Sequence, residues 1–276
     1  MKIRLAHSPD SDDAFMFYGL AKGKVSSEGL EFAHELHDIE TLNRRAFQGV
    51  YEVTAISFHA YAFLADTYRL LPHGGSVGDG YGPILVAKEP LSARDLREGV
   101  IAIPGELTTA ALVLRLYAGA VPVALEPFDQ ILEAVAAGRY LAGLLIHEGQ
   151  LTYGDQGLKK VVDLGEWWRE ETGLPLPLGG NAIRRDLGAA VAQKVSRVLK
   201  ASIDYGLAHR SETLDYAQRF GRGLGRRRAD LFIQMYVNHY TRDYGERGRE
   251  AIQLLLDRAH EAGAVGQRVT AEFVSS

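Results

Sequence analysis

At 276 residues, with 46% hydrophobic and 24% charged side chains, the chain is long enough to bury a large core, as two modest domains or one large α/β domain. Its 31 Lys and Arg against 35 Asp and Glu leave a formal net charge of −4, which gives no general affinity for phosphate backbones and excludes nucleic acid as an expected partner. The absence of cysteine removes disulfides, thiolate zinc sites and a cysteine nucleophile, and no segment approaches the roughly twenty apolar residues of a membrane span.

Residues 1–6 (MKIRLA) run straight into a short strand pattern without the apolar core and cleavage site of a secretory signal, so a cytoplasmic protein with no membrane insertion is expected. From there apolar runs alternate with helical patterns. Strand 3–6 precedes helix 12–21, strand 31–36 precedes helix 38–47, and strand 52–56 precedes helix 57–64. The glycine-rich stretch 72–83 (PHGGSVGDGYGP) then interrupts the pattern. Strand 84–87 with helix 93–98, strand 100–103 with helix 108–117, strand 121–125 with helix 128–137, and strand 141–146 follow. Helix 167–172 leads into a second turn-rich stretch, 173–180 (GLPLPLGG). Past residue 185 strands vanish, and 186–205, 212–221, 229–240 and 245–262 read as amphipathic helices. This is an α/β chain with parallel or mixed sheets and a helical C-terminal layer. The two turn-rich stretches predict crossings between two lobes: a larger discontinuous lobe of 1–89 and 179–276, and an inserted lobe of 90–178, with the ligand cleft between them.

Ligands collect at the carboxyl ends of strands in open α/β sheets, so the residues just past each strand are the candidates. His147 follows the apolar run 140–146, where an imidazole titrates near neutral pH; the plainer reading is a strand cap bonded to backbone. Segment 100–110 (VIAIPGELTTA) is a strand, a turn at Pro104-Gly105 and a helix start. Its Thr108 and Thr109 either cap the helix or join its free N–H groups in holding a carboxylate. Asp10, Asp12 and Asp13 crowd the first turn after strand 3–6, which helix capping explains. A calcium loop fails there, because Phe15 stands at its sixth position and Ala21 at its twelfth. Ser57 and His59 follow strand 52–56, Ser57 as a ligand contact and His59 as a structural residue.

Other motifs are excluded. Pro83 stands where a dinucleotide fingerprint needs its third glycine, and Leu151 stands where a zinc H-E-x-x-H motif beginning at His147 needs its second histidine. No metal site is expected. Arg219, Arg222 and Arg226–Arg228 read as a solvated basic loop.

Taken in order, Ser8-Pro9, Asp13 and Phe15, Gly80-Tyr-Gly-Pro83, Pro104-Gly105 with Thr108-Thr109-Ala110, Leu145-Ile-His147-Glu-Gly, Thr152-Tyr153 and the 172–180 segment resemble the 1,4-dihydroxy-6-naphthoate synthases of the futalosine route to menaquinone. The resemblance covers residues 1 to about 181. It departs at the first loop, where Asp10, Ser11, Asp12 and Ala14 replace the Cys, Pro, Asn and Thr of many members, so Ser8 and Asp13 are the residues carried over. The resemblance implies a two-lobed fold similar to periplasmic solute-binding proteins (type II), and a lyase acting on cyclic dehypoxanthine futalosine, a small-molecule carboxylate, with no redox cofactor. His147 would be the general base, with Thr108, Thr109, Ser57, Ser8, Asp13 and Gly105 about the substrate. A chorismate dehydratase of the same pathway and a non-catalytic carboxylate-binding protein are the alternatives. The oligomeric state is left open.

Overall fold

The structure, a computed structural model, describes residues 1–221 and 223–275. Arg222, one of the predicted basic cluster, lies outside the described residues. Eleven strands form two mixed sheets among them. The first contains β1 (Lys2–His7), β2 (Glu31–Leu36), β3 (Val53–Ser57), β4 (Tyr68–Leu70), β5 (Ser76–Gly78) and the late strand β11 (Leu176–Arg184), in the order β2-β1-β3-β11-β4 with β5 on β11. The second contains β6 (Ile84–Ala87), β7 (Ile101–Ile103), β8 (Val123–Leu125), β9 (Ala142–Leu145) and β10 (Lys159–Asp163), in the order β10-β6-β9-β7-β8. Crossover helices force the parallel pairs β1–β2, β1–β3, β7–β8 and β7–β9, while the returning strands β6 and β11 pair antiparallel.

The helices are α1 (Ser11–Ala21), α2 (Ile39–Ala46), α3 (Phe58–Leu64), α4 (Thr109–Ala118), α5 (Ile131–Ala136), α6 (Leu164–Thr172), α7 (Gly188–Ala208), α8 (Arg210–Ala217), α9 (Arg226–Tyr236), α10 (His239–Arg242) and α11 (Gly245–Glu261). Local chemistry sets several of their ends. Asp163 accepts the Gly165 and Glu166 N–H groups to start α6, and Gly173 ends it in the left-handed conformation at φ 70°.

Apolar packing divides the molecule into layers. One face of the first sheet (Ile3, Leu5) packs on Phe15 and Phe17 of α1, Val195 and Leu199 of α7 and Ile233 of α9. One face of the second (Ile84, Val86, Leu145) packs on Ile131 and Val135 of α5. A larger cluster is shared by both lobes: Phe58 and Tyr61 of α3, Ile101 of β7, Leu112 of α4, Trp168 of α6, Leu176 of β11 and Ile252 of α11 are buried together.

Several elements differ from the expectation. Residues 93–98 form only a three-residue 3₁₀ turn, Asp95–Arg97, held by Ser92 and Asp95 bonding each other. The stretch 173–180 holds the start of β11, whose Pro and Gly residues mask it in sequence. A register shift falls between Pro177 and Gly179, so the proline sits at an irregularity of the ladder. The lobe limits expected at 89/90 and 178/179 lie a few residues past the points where the chain changes sheet. β6 pairs with β9 and β10 and so belongs to the second sheet, whereas Leu176 and Pro177 already pair with β5 in the first.

Candidate active site

Four strand ends converge on a cleft between the sheets. It is lined by Ser8, Asp10, Asp12 and Asp13 after β1, by Ser57 at the end of β3, by Thr108 and Thr109 after β7, and by Ile146 after β9. The glycine-rich stretch contributes Gly74, Ser76 and Pro83, and the C-terminal helical layer contributes Phe232 and Tyr236.

Thr108 is the N-cap of α4: its Oγ1 accepts the Ala111 N–H at 3.2 Å and donates to the Gly105 carbonyl at 2.8 Å. Its neighbour has a different bond. Thr109 Oγ1 accepts the His59 backbone N–H at 3.3 Å, tying α4 to α3 in the other lobe. Ser57 is held by Asn43, which accepts the Ser57 N–H at 2.9 Å and donates to its hydroxyl at 3.0 Å. Gly105 lies behind this wall. A Cβ there would stand 2.2 Å from Glu40 Oε2, and that carboxylate accepts the Leu107 N–H, so the glycine lets α2 approach the 104–108 turn.

In the β1–α1 loop Ser8 bonds both ways: its N–H donates to Asp13 Oδ2 at 2.6 Å and its hydroxyl to Asp10 Oδ2 at 2.5 Å. Burial pushes the Asp12 and Asp13 carboxyls up from the ordinary range, and their neighbouring carboxylates add to it. Ser11 Oγ donates to Glu148 Oε1 at 3.2 Å, which links this loop to the far lobe.

His147 is 7% exposed. Its Nδ1 accepts the Gly149 N–H at 3.0 Å and its Nε2 lies 2.6 Å from the Phe128 carbonyl, so the ring is the neutral tautomer with hydrogen on Nε2. Ile146 borders the cleft, while the His147 ring borders a separate cavity with Asp129, Glu133 and Arg228. His59 keeps its side chain outside the cleft and contributes only its backbone N–H. Among the described residues no group of three or more His, Asp or Glu is arranged to hold a metal ion, and no helix is long and apolar enough to cross a membrane.

Tyr236, Phe232, Asn43, Ser76 and Gln150 stand in no sequence motif that marks them for a site. Tyr236 donates to Gln150 Oε1 at 2.9 Å across the lobes. An aromatic pair four residues apart on an amphipathic helix reads as core, and here it faces the cleft. Two arginines of the basic cluster form ion pairs, Arg226 with Asp215, and Arg228 with Asp155 of the other lobe at 2.6 Å.

Comparison with known proteins agrees with this architecture. The chain is 51% identical to protein AF1704 from Archaeoglobus fulgidus, with a TM-score of 0.92 over 96% of this chain and 98% of that one. It also superposes on the alkanesulfonate-binding protein of Xanthomonas axonopodis pv. citri, bound to MOPS, with a TM-score of 0.73 at 12% identity over 98% and 96% of the two chains. That likeness establishes the two-lobed periplasmic-binding-protein fold. In sequence, the chain is 43% identical to the 1,4-dihydroxy-6-naphthoate synthase of Thermus thermophilus over 95% of both chains. It is 37% identical to that of Streptomyces coelicolor over 95% and 94%. With residues 3–261 matching the family model described as menaquinone biosynthesis, the chain belongs to the menaquinone biosynthesis family.

Proposed function

We propose that this protein is a cytoplasmic lyase that converts cyclic dehypoxanthine futalosine to 1,4-dihydroxy-6-naphthoate. The observation that carries the reading is the 43% identity to a 1,4-dihydroxy-6-naphthoate synthase across 95% of both chains. The cleft chemistry is compatible with it. The hydroxyls of Ser57 and Thr109, whose hydrogens are not committed to the protein, suit a carboxylate beside the first turn of α4, which Thr108 caps. His147 is the proposed general base. Its Nε2–H is committed to the Phe128 carbonyl, which fixes the tautomer and leaves Nδ1 as the basic atom once the Gly149 N–H releases it. In this structure the ring borders a cavity separate from the cleft, so it has to turn toward the Ile146 side for Nδ1 to take an acidic proton next to the substrate carbonyl; cleavage of the sugar-derived fragment follows, and aromatisation drives it.

Incubating purified protein separately with cyclic dehypoxanthine futalosine and with chorismate, and identifying products by mass, tests the reading. Formation of 1,4-dihydroxy-6-naphthoate from the first supports it. Formation of 3-enolpyruvyl-benzoate from chorismate would instead identify a dehydratase, and binding without conversion a non-catalytic carboxylate-binding protein.

A further inference from the structure

The hydroxyl of Ser57, at the end of β3, is set by one residue of α2. Asn43 is fully buried, and its side-chain amide meets both polar atoms of Ser57: Oδ1 accepts the Ser57 N–H at 2.9 Å, and Nδ2 donates to Ser57 Oγ at 3.0 Å. The first bond fixes the second. A backbone N–H can only donate, so the atom it meets has to be the amide oxygen, which leaves the NH2 group facing Oγ. Nδ2 also faces the Leu107 carbonyl of the other lobe, a long contact of 3.4 Å. Glu40, one turn earlier on α2, accepts the N–H of the same Leu107 at 3.1 Å. The helix that carries Asn43 is thereby tied to the turn that leads into Thr108 and Thr109.

We propose that Asn43 is a positioning residue for substrate binding: it holds the Ser57 hydroxyl as a hydrogen-bond donor to the substrate's carboxylate. This rests on the reading of the substrate as cyclic dehypoxanthine futalosine. Ser57 Oγ accepts from Asn43, so its own hydrogen is left for another partner, and no acceptor among the described residues takes it. Ser57 is buried yet lines the cleft, where a ligand can supply that acceptor. The Thr109 hydroxyl is in the same state, because it accepts the His59 N–H at 3.3 Å. A carboxylate accepts from both hydroxyls through its two oxygens. An ammonium group would bring more hydrogens to a place already supplied with them. Asn43 itself is not among the cleft-lining residues, so its effect on a ligand runs through Ser57, with the longer Leu107 contact a smaller share.

The test is a double-mutant cycle read by calorimetric titration. The probe is 1,4-dihydroxy-6-naphthoate, and the control is 1,4-dihydroxynaphthalene, which lacks the carboxylate. Ser57→Ala and Asn43→Ala are each expected to raise the naphthoate Kd about tenfold, the worth of one hydrogen bond to a charged acceptor, with the control Kd unchanged. The double variant should bind naphthoate no more weakly than Ser57→Ala alone, because Asn43 then has no hydroxyl to position. Losses that multiply in the double variant, an unchanged naphthoate Kd in Asn43→Ala, or equal losses for naphthoate and control overturn the proposal. If Asn43→Ala does not fold, a crystal structure of the unaltered protein with naphthoate decides. A carboxylate oxygen about 3 Å from Ser57 Oγ, with both Asn43 bonds in place, supports the proposal, and a carboxylate bound elsewhere overturns it. The functional reading fails separately: unaltered protein that binds naphthoate but forms none from cyclic dehypoxanthine futalosine loses the lyase and keeps this proposal. Unaltered protein that does not bind naphthoate loses both.

Discussion

His147 is held by both ring nitrogens, Nε2 against the Phe128 carbonyl at 2.6 Å and Nδ1 under the Gly149 N–H at 3.0 Å. Asparagine keeps a polar side chain of similar reach but cannot accept a proton near neutral pH. His147→Asn is therefore expected to bind substrate nearly as well and to lower kcat by a factor of about 100 or more. A wild-type rate in that variant would move the base elsewhere, with Asp13 the next carboxyl to replace. The two threonines separate in a different way. Thr108→Val loses the N-cap and should cost about 1 kcal/mol of stability, read as a shifted urea midpoint. Thr109→Val loses no cap but does lose the bond from the His59 N–H, so it should lower the midpoint by a similar amount and, unlike Thr108→Val, also weaken substrate binding by about 1–3 kcal/mol. Equal affinity in both variants leaves these residues a structural role only. Asp12 also affects stability. Its folded pKa lies above the unfolded value of about 4, so the folded chain keeps a proton that the unfolded chain releases. Stability is thus lost as pH rises from about 4 to about 7 and stays lower above that window. Asp12→Asn should be more stable than the parent at pH 7 and equal to it near pH 4 in urea titrations. Ser57, Thr108 and Thr109 could be found from strand ends alone, because a strand end positions whatever follows it, whereas Ser8 and Asp13 came from the family resemblance. Phe232, Tyr236 and Asn43 could not, since their helices carry no local mark of the surface they face.

At the scale of elements, the buried parallel strands were legible because both faces are covered and their sequences are continuously apolar, as in β7 (IAI) and β9 (AGLL). β11 was not. Its Pro177 and Gly179 read as a turn, yet Gly179 is needed because the Ile56 carbonyl oxygen would stand 2.9 Å from a Cβ there. The same close approach governs the crossings between the sheets. A Cβ on Gly165, at the start of α6, would stand 2.0 Å from the Tyr81 carbonyl oxygen, and one on Gly78 1.9 Å from that same oxygen. Here backbone packs on backbone, and no side-chain rotation can relieve an added methyl. Gly165→Ala is expected to destabilise the fold by about 1–3 kcal/mol, the usual cost of overpacking, measured by denaturant unfolding. An unchanged midpoint would mean that the crossing shifts freely.

For the whole molecule, the question is how two lobes that share apolar core can open. At the back, Phe58 and Tyr61 of one lobe are buried with Leu112 and Trp168 of the other, so sliding of the lobes would expose large side chains. At the front, the lobes are joined by polar pairs that water can replace at small cost: Ser11 with Glu148, Tyr236 with Gln150, and Arg228 with Asp155. The balance favours rotation about the glycine-lined crossings, with the back acting as the fulcrum and the three front contacts breaking. Crystal structures with and without 1,4-dihydroxy-6-naphthoate are expected to differ chiefly by such a rotation, each sheet superposing on itself within its own lobe. The radius of gyration from solution scattering should fall when the ligand is added. A scattering curve that stays the same at saturating ligand, together with identical lobe angles in the two crystal structures, would show that the shared core locks the molecule into one rigid body. Substrate would then have to enter through side-chain motion at the cleft mouth, and Tyr236 would be the first residue to shorten.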